Sequence, residues 1–230
     1  MTFLFPPHPT SVIPVQDSDH AFPVHRIYCV GQNYSDHVKE MGGDPRENPP
    51  VFFSKPSDAV VIGNQPVTYP PATSDLHYEV ELVVALASGG SDIGVEEAPT
   101  RVFGYAVGID FTRRDLQAEA KKEGRPWDAA KGFDQSAPTS AIRSKNKDDH
   151  PLEGRISLSV NGETRQDAKL SDMIWSVPEI ISELSKYYEL KAGDLIFTGT
   201  PAGVSAVVAG DQIRAEIEGV GEINFVLVAG

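Results

Sequence analysis

Cysteine is nearly absent from this chain: Cys29 is the only one in 230 residues. A single thiol excludes an internal disulfide and any zinc cage built from cysteines. It lies in the apolar run RIYCVG, where a buried, inert thiol is expected rather than a nucleophile. Long hydrophobic runs are missing as well, since none approaches the ~18 residues that cross a bilayer as a helix. The opening stretch MTFLFPPHPTSVIP has no basic segment and is broken by prolines, so no secretory signal is expected and the expected location is the cytoplasm. Positive charge is scarce: 20 Lys and Arg stand against 33 Asp and Glu, a net charge of −13. That balance argues against nucleic acid and anionic membranes as partners. The chain also lacks internal repeats, a composition-shifting linker, a P-loop, a G-x-G-x-x-G turn and a G-x-S-x-G elbow.

What is present is a series of short β-favouring runs punctuated by Gly, Pro and Asn. Strands are expected at His25–Val30, Val51–Ser54, Ala59–Ile62, Tyr78–Leu86, Val102–Asp110, Ile156–Val160, Leu195–Thr198, Gln212–Ile217 and Ile223–Val228. Gly63-Asn64, Asn161-Gly162, Ala209-Gly210-Asp211 and Gly219-Val220-Gly221 mark turns. Helices are expected from the capping box Ser176-Val177-Pro178-Glu179, with Ile180, Ile181, Leu184, Tyr187 and Tyr188 on one face. Others are expected at Thr112–Glu123, with Thr112 and Asp115 at capping-box spacing, and at Ser35–Glu40. Strands and helices do not alternate, which counts against a doubly wound sheet. The organisation read from this is an N-terminal arm, residues 1–24, followed by one domain, residues 25–230.

The stretch DLHYEVELVVAL holds the strongest chemical signal. Side chains alternate across a strand, so Glu79 and Glu81 share a face, roughly 6–7 Å apart along the chain. Two like charges buried side by side are costly unless something neutralises them. Two readings stand on spacing alone. A divalent cation lies between the carboxylates, or each glutamate lies on a solvated face beside a Lys or Arg. With no Cys or His cluster nearby, an ion would be a hard one, Mg²⁺, Mn²⁺ or Ca²⁺. Asp110, ending the run VFGYAVGID, would be the third oxygen ligand.

Three further groups stand out. On the short helix from Ser35, His37 and Glu40 share a face, either as a carboxylate-held general base or as an exposed polar surface. The loop MGGDPRENPP after it has the composition of a lid. Lys131 sits in GRPWDAAKGFD downstream of Gln117, and FTGTPAGVS offers Thr200 and backbone N–H donors to an anion, or is an ordinary turn.

Taken in order, CVGQNYSDHVKE, the E-V-E strand, the strand-ending G-I-D, Lys131 and TGTPAGV resemble the fumarylacetoacetate hydrolase superfamily from about Arg26 to Val228. RIYCVGQNYSDHVKEMGGDP, FTRRDLQ and KKEGRPWDAAKGFDQSAP are most similar to its fumarylpyruvate hydrolases, with acylpyruvases next. The resemblance implies an α+β, mainly β fold, with a mixed β-roll or barrel core, a few peripheral helices and a homodimeric state. It implies metal ligands at Glu79, Glu81 and Asp110, a catalytic pair at His37 and Glu40, and an oxyanion contact from Lys131. Gln117 and Thr200 match positions that touch the bound keto acid, and Gln32 and Asn33 complete the expected substrate contacts. Many relatives carry arginine where this chain has Gln32. The implied activity is Mg²⁺- or Mn²⁺-dependent hydrolysis of the C–C bond of a 2,4-dioxo acid, fumarylpyruvate giving fumarate and pyruvate. The alternatives are a general acylpyruvase, an oxaloacetate decarboxylase and, from another class, a non-catalytic module that binds a divalent cation.

Overall fold

The short apolar runs pair into four sheets in the computed structural model of the protein, which describes residues 2–34, 49–145, 150–151 and 153–230. The largest sheet runs in the order Val51–Lys55, Ile27–Gly31, Leu195–Phe197, Val80–Leu86, Val102–Ile109, Ala137–Thr139 and Val60–Ile62, and Arg143–Ser144 also pairs with Val102–Ile109. It is mixed: Ile27–Gly31 lies parallel to Leu195–Phe197, and Ala137–Thr139 parallel to Val60–Ile62. A second sheet orders Glu163–Lys169, Arg155–Val160, Gln212–Ile217, Gly221–Val228 and Val67–Thr68. A ribbon of Thr112–Arg113, Leu76–His77 and Ala206–Val207 joins the helical region to the loop after Phe197. The sheets curl into a half-barrel, with three α-helices outside it among the described residues, an α+β fold that is mainly β.

The strand Val80–Leu86 is buried along its whole length. Val80, Leu82, Val84 and Leu86 enter the main apolar cluster, while Val83 and Ala85 enter a second one with Cys29, Ala106 and Phe197. This period of two places Glu81 on the side of the second cluster. Residues of the N-terminal arm close that cluster. Val12–Pro14 and Ala21–Pro23 form a hairpin, and Ile13, Val15, Phe22 and Val24 are buried in it. Two prolines and three-residue strands hide the hairpin from periodicity.

Other departures from the sequence expectation are local. The helix begins at Arg114, not Thr112, because Thr112–Arg113 extends the ribbon against Leu76–His77. No capping box forms there: the Thr112 hydroxyl donates to the Asp110 carbonyl, and the Asp115 carboxylate accepts from Thr73 and Ser74. Gly124 ends the helix at φ 65°, a conformation in which a side chain is strained. The Ser176–Glu179 box does form, with the Ser176 N–H donating to Glu179 at 2.8 Å. That helix stops at Ser185, so Tyr187 and Tyr188 lie beyond it and are exposed instead of continuing the buried face. Among the described residues no helix is long and apolar enough to cross a membrane.

Candidate active site

Two neighbouring strands bring the carboxylates together. Glu79 precedes the strand Val80–Leu86, Glu81 lies within it, and Asp110 follows the neighbouring Val102–Ile109. The Asp110 N–H donates to the Glu79 carbonyl at 2.8 Å, continuing the ladder just past the strand ends. One carboxylate oxygen from each of the three residues lies within 4.8 Å of the others, and all three side chains are buried.

Cations surround two of the three. The Lys131 ammonium, itself buried, donates to Glu79 Oε2 at 2.8 Å and to Asp110 Oδ2 at 2.7 Å. Arg114 reaches Glu79 Oε1 at 2.5 Å and the Gln117 side-chain oxygen at 2.6 Å. The Lys55 ammonium lies 2.8 Å from Asp110 Oδ1 and donates to the carbonyls of Phe111 and Lys131. Its contact with Asp110 is one of charge, since no well-directed hydrogen bond reaches that oxygen. Burial acts to lower the Lys131 pKa, but Asp110 and Glu79 outweigh it and hold the ammonium above its ordinary value.

Glu81 differs. It accepts one hydrogen bond, from the Gly199 N–H at 2.8 Å, and no cation among the described residues pairs with it. Burial first, then the charges of Asp110 and Glu79, push its carboxyl well above the usual carboxylate range. An oxygen-rich cluster with one uncompensated, buried carboxylate fits a hard divalent cation, which would be held by Glu79, Glu81 and Asp110. The solvated-face reading of the two glutamates does not survive: both are buried, although Glu79 does stand beside Lys and Arg.

The cleft above the cluster is walled by Gln32, Phe53, Gln117, Lys121, Trp127, Lys131 and Thr200 together with both glutamates. Gln32 is exposed there at φ 61°, next to Gly31. Asn33 behaves differently from its neighbour. Its amide is buried and spent on backbone, donating to Thr198 and Trp175 carbonyls at 2.7 and 3.0 Å and accepting from the Trp175 N–H at 2.7 Å. It ties the Gln32 turn to the loop after Phe197. Gly199 in that loop has φ 98°, and a Cβ there would lie 2.6 Å from Asn33 Cβ, so the close approach requires glycine. The Gly199 N–H of that TGTPAGV turn therefore serves Glu81. His37 and Glu40, with the helix read from Ser35 to Glu40, lie outside the described residues.

Sequence reasoning missed Lys55 and His77. Lys55 ends a strand just before Pro56, which reads as an exposed position, and only tertiary packing buries it. His77 lies two residues before Glu79, with Nε2 2.9 Å from Asp75 and Nδ1 facing Arg114 at 3.4 Å. Burial and Arg114 lower its pKa, in keeping with a neutral ring that braces the guanidinium.

A mainly β scaffold that gathers three buried carboxylates, two lysines and an arginine at the floor of a small polar cleft defines a class of site suited to binding anionic oxygens around a hard cation. Comparison with known proteins narrows the class. Residues 26–228 match the family model described as fumarylacetoacetate (FAA) hydrolase C-terminal. The chain is 48% identical over 199 residues to the mitochondrial oxaloacetate tautomerase of Rattus norvegicus, covering 86% of this chain and 90% of that one. It is 44% identical over 180 residues to the fumarylpyruvate hydrolase of a Ralstonia species, covering 76% and 90%. The crystal structure of fumarylpyruvate hydrolase from Pseudomonas aeruginosa in complex with Mn²⁺ and pyruvate matches with a TM-score of 0.97 at 46% identity, over 100% of both chains. The chain belongs to the fumarylacetoacetate hydrolase family.

Proposed function

We propose that the protein hydrolyses the C–C bond of a 2,4-dioxo acid that carries a second, distal carboxylate, with fumarylpyruvate as the substrate. The observation that carries this reading is the buried cluster of Glu79, Glu81 and Asp110 flanked by Lys131 and Arg114. The similarity to fumarylpyruvate hydrolases, one of them a complex with Mn²⁺ and pyruvate, supports it. A Mg²⁺ or Mn²⁺ ion held by the three carboxylates would supply Lewis-acid polarisation of the keto-acid oxygens.

The chain's own groups divide the remaining work. His37, oriented by Glu40, takes a proton from water as its oxygen bonds to the C4 carbonyl carbon. The C3–C4 bond then breaks, its electron pair passes to C3 as the enolate of pyruvate, and fumarate leaves with the added oxygen. Lys131 provides fixed positive charge where the enolate oxygen develops, and it stays protonated because Asp110 and Glu79 hold its pKa up. The proton taken from water returns to C3, so one water is consumed for each fumarate and pyruvate formed.

The oxaloacetate tautomerase relatives favour a second reading, keto–enol interconversion of oxaloacetate, which needs proton transfer but consumes no water. Both fumarylpyruvate and oxaloacetate carry a distal carboxylate, so the group that binds it reports which acids fit, and the relative rates on the two report which reaction is run. The nearby arginines are engaged: Arg113 with the Ala129 carbonyl and the Phe133 ring, Arg114 with Glu79, and Arg125 with Glu123. Lys121 lines the cleft 5.1 Å from the Trp127 ring centroid, and no described carboxylate pairs with it. Lys121→Met is expected to raise KM for fumarylpyruvate about tenfold, the scale of one charge-assisted contact. It should leave an acylpyruvate without the second carboxylate unaffected. Gln32→Arg should move the ranking the other way, favouring the dicarboxylate. Steady-state kinetics on a panel of both dioxo acids and oxaloacetate tests this. Faster conversion of oxaloacetate than of any dioxo acid would replace the hydrolase reading.

A further inference from the structure

We infer that Gln166 is a positioning residue that aims the Thr200 hydroxyl hydrogen into the cleft, making Thr200 an obligatory donor to an anionic or carbonyl oxygen of the bound acid. This rests on the proposed reading that the cleft binds a keto acid. Gln166 lies on the polar edge strand Glu163–Lys169, yet its side chain is completely buried. The amide makes three hydrogen bonds. Its oxygen accepts from the Val80 N–H at 3.0 Å, and its nitrogen donates to the Pro201 carbonyl and to Thr200 Oγ1, each at 2.8 Å.

These partners leave no choice of orientation. A backbone N–H only donates and a prolyl carbonyl only accepts, so the amide oxygen must face Val80 and the amide nitrogen must face Pro201 and Thr200. Thr200 Oγ1 is therefore the acceptor in its bond with Gln166. A hydroxyl carries one hydrogen, and no described residue accepts it. Thr200 lines the cleft beside Glu81 and Lys131, so that hydrogen serves the ligand.

The surrounding loop is held firmly enough for such a direction to persist. A Cβ on Gly203 would lie 2.1 Å from the Arg165 carbonyl oxygen, so the loop rests directly on the Gln166 strand. The hydroxyl of Tyr78, the residue before Glu79 in sequence, lies 3.1 Å from the Gly203 carbonyl and donates to it. The same Gln166 oxygen caps the N–H of Val80, the residue between the two glutamates, so one amide fixes its own orientation against the strand while it sets the polarity of the hydroxyl.

The test is a double-mutant cycle read by calorimetric binding of pyruvate to the Mn²⁺-loaded protein, with circular dichroism to confirm folding. Thr200→Val, which removes the donor, should weaken pyruvate binding about tenfold. Gln166→Met, which frees the hydroxyl to turn away, should weaken it by a similar factor. The double variant should lose about tenfold rather than about a hundredfold, because both changes remove one contact. Thr200→Ser should bind as wild type does. If Gln166→Met does not fold, Gln166→Glu keeps the volume and the Val80 contact. Its binding loss should deepen as pH rises and the new carboxylate draws the hydroxyl hydrogen to itself. Additive losses, or full affinity in a folded Gln166 variant beside a weakened Thr200→Val, would overturn the relay while leaving the keto-acid reading intact. Failure of the wild type to bind pyruvate would overturn both.

Discussion

Glu81→Gln is expected to abolish divalent-metal-dependent turnover and, in EDTA, to raise the melting temperature above that of the wild type. Both effects follow from the same isolation. Glu81 is buried, has one N–H donor from Gly199 and is paired with no cation among the described residues. If Glu81 holds a metal its charge is needed; without one the charge is a burden. The folded-state pKa is raised by burial, Asp110 and Glu79, so proton binding favours the folded state. Stability from this group is fully present below the unfolded value, near ~4.3, and is lost as pH rises through the folded one. The variant's advantage should thus vanish in acid, where Glu81 is protonated and resembles glutamine, and grow as pH rises through the raised folded value. Each kcal/mol of relief appears as about 2–4 °C in a chain of this size. Thermal melts across pH, with and without Mn²⁺, read both effects. Full activity in the variant would remove Glu81 from the ligand set.

His37→Ala is the second large effect. If His37 is the base that deprotonates water, cleavage of fumarylpyruvate should fall by about 10²–10⁴-fold. Glu40→Gln should cost less, because it leaves the imidazole present but poorly held. Slow decarboxylation of oxaloacetate needs no attacking water and should persist in both variants, since Glu79, Glu81, Asp110 and Lys131 are untouched. Parallel kinetics on the two substrates at fixed Mg²⁺ separate the roles. Near-normal cleavage by His37→Ala would leave the reaction standing and require another base.

The site was legible in the sequence where chemistry and period coincide. E-V-E on an apolar strand and G-I-D at the end of its neighbour are odd enough to be noticed, and the fold brings Glu79, Glu81 and Asp110 within 4.8 Å as a ladder of that kind can. Lys131 gained meaning only from the order of the motifs. Lys55 and Gln166 were not legible, because each lies in a run that reads as exposed and is buried by elements far away in the chain. The polar edge strand Glu163–Lys169 was hidden in the same way, although Asn161 and Gly162, at φ 52° and 82°, announce the hairpin that creates it. Asn33 shows the converse: a residue expected to touch substrate carries three backbone contacts that hold two loops together.

The two-sided burial of the strand Val80–Leu86 has a consequence for ion affinity. A ligand loop that orders only on binding subtracts that ordering from the free energy of association, about 1–2 kcal/mol for each residue fixed. Here the backbone carrying Glu81 is locked by apolar neighbours on both faces, and the Glu79 and Asp110 backbones are joined by a hydrogen bond. The fold itself converges the oxygens. Selectivity among divalent ions should then follow how well each radius suits a fixed set of oxygens, with little adjustment by the chain. The same rigidity makes the strand a poor place for drift, because a side chain altered on either face is felt by the other.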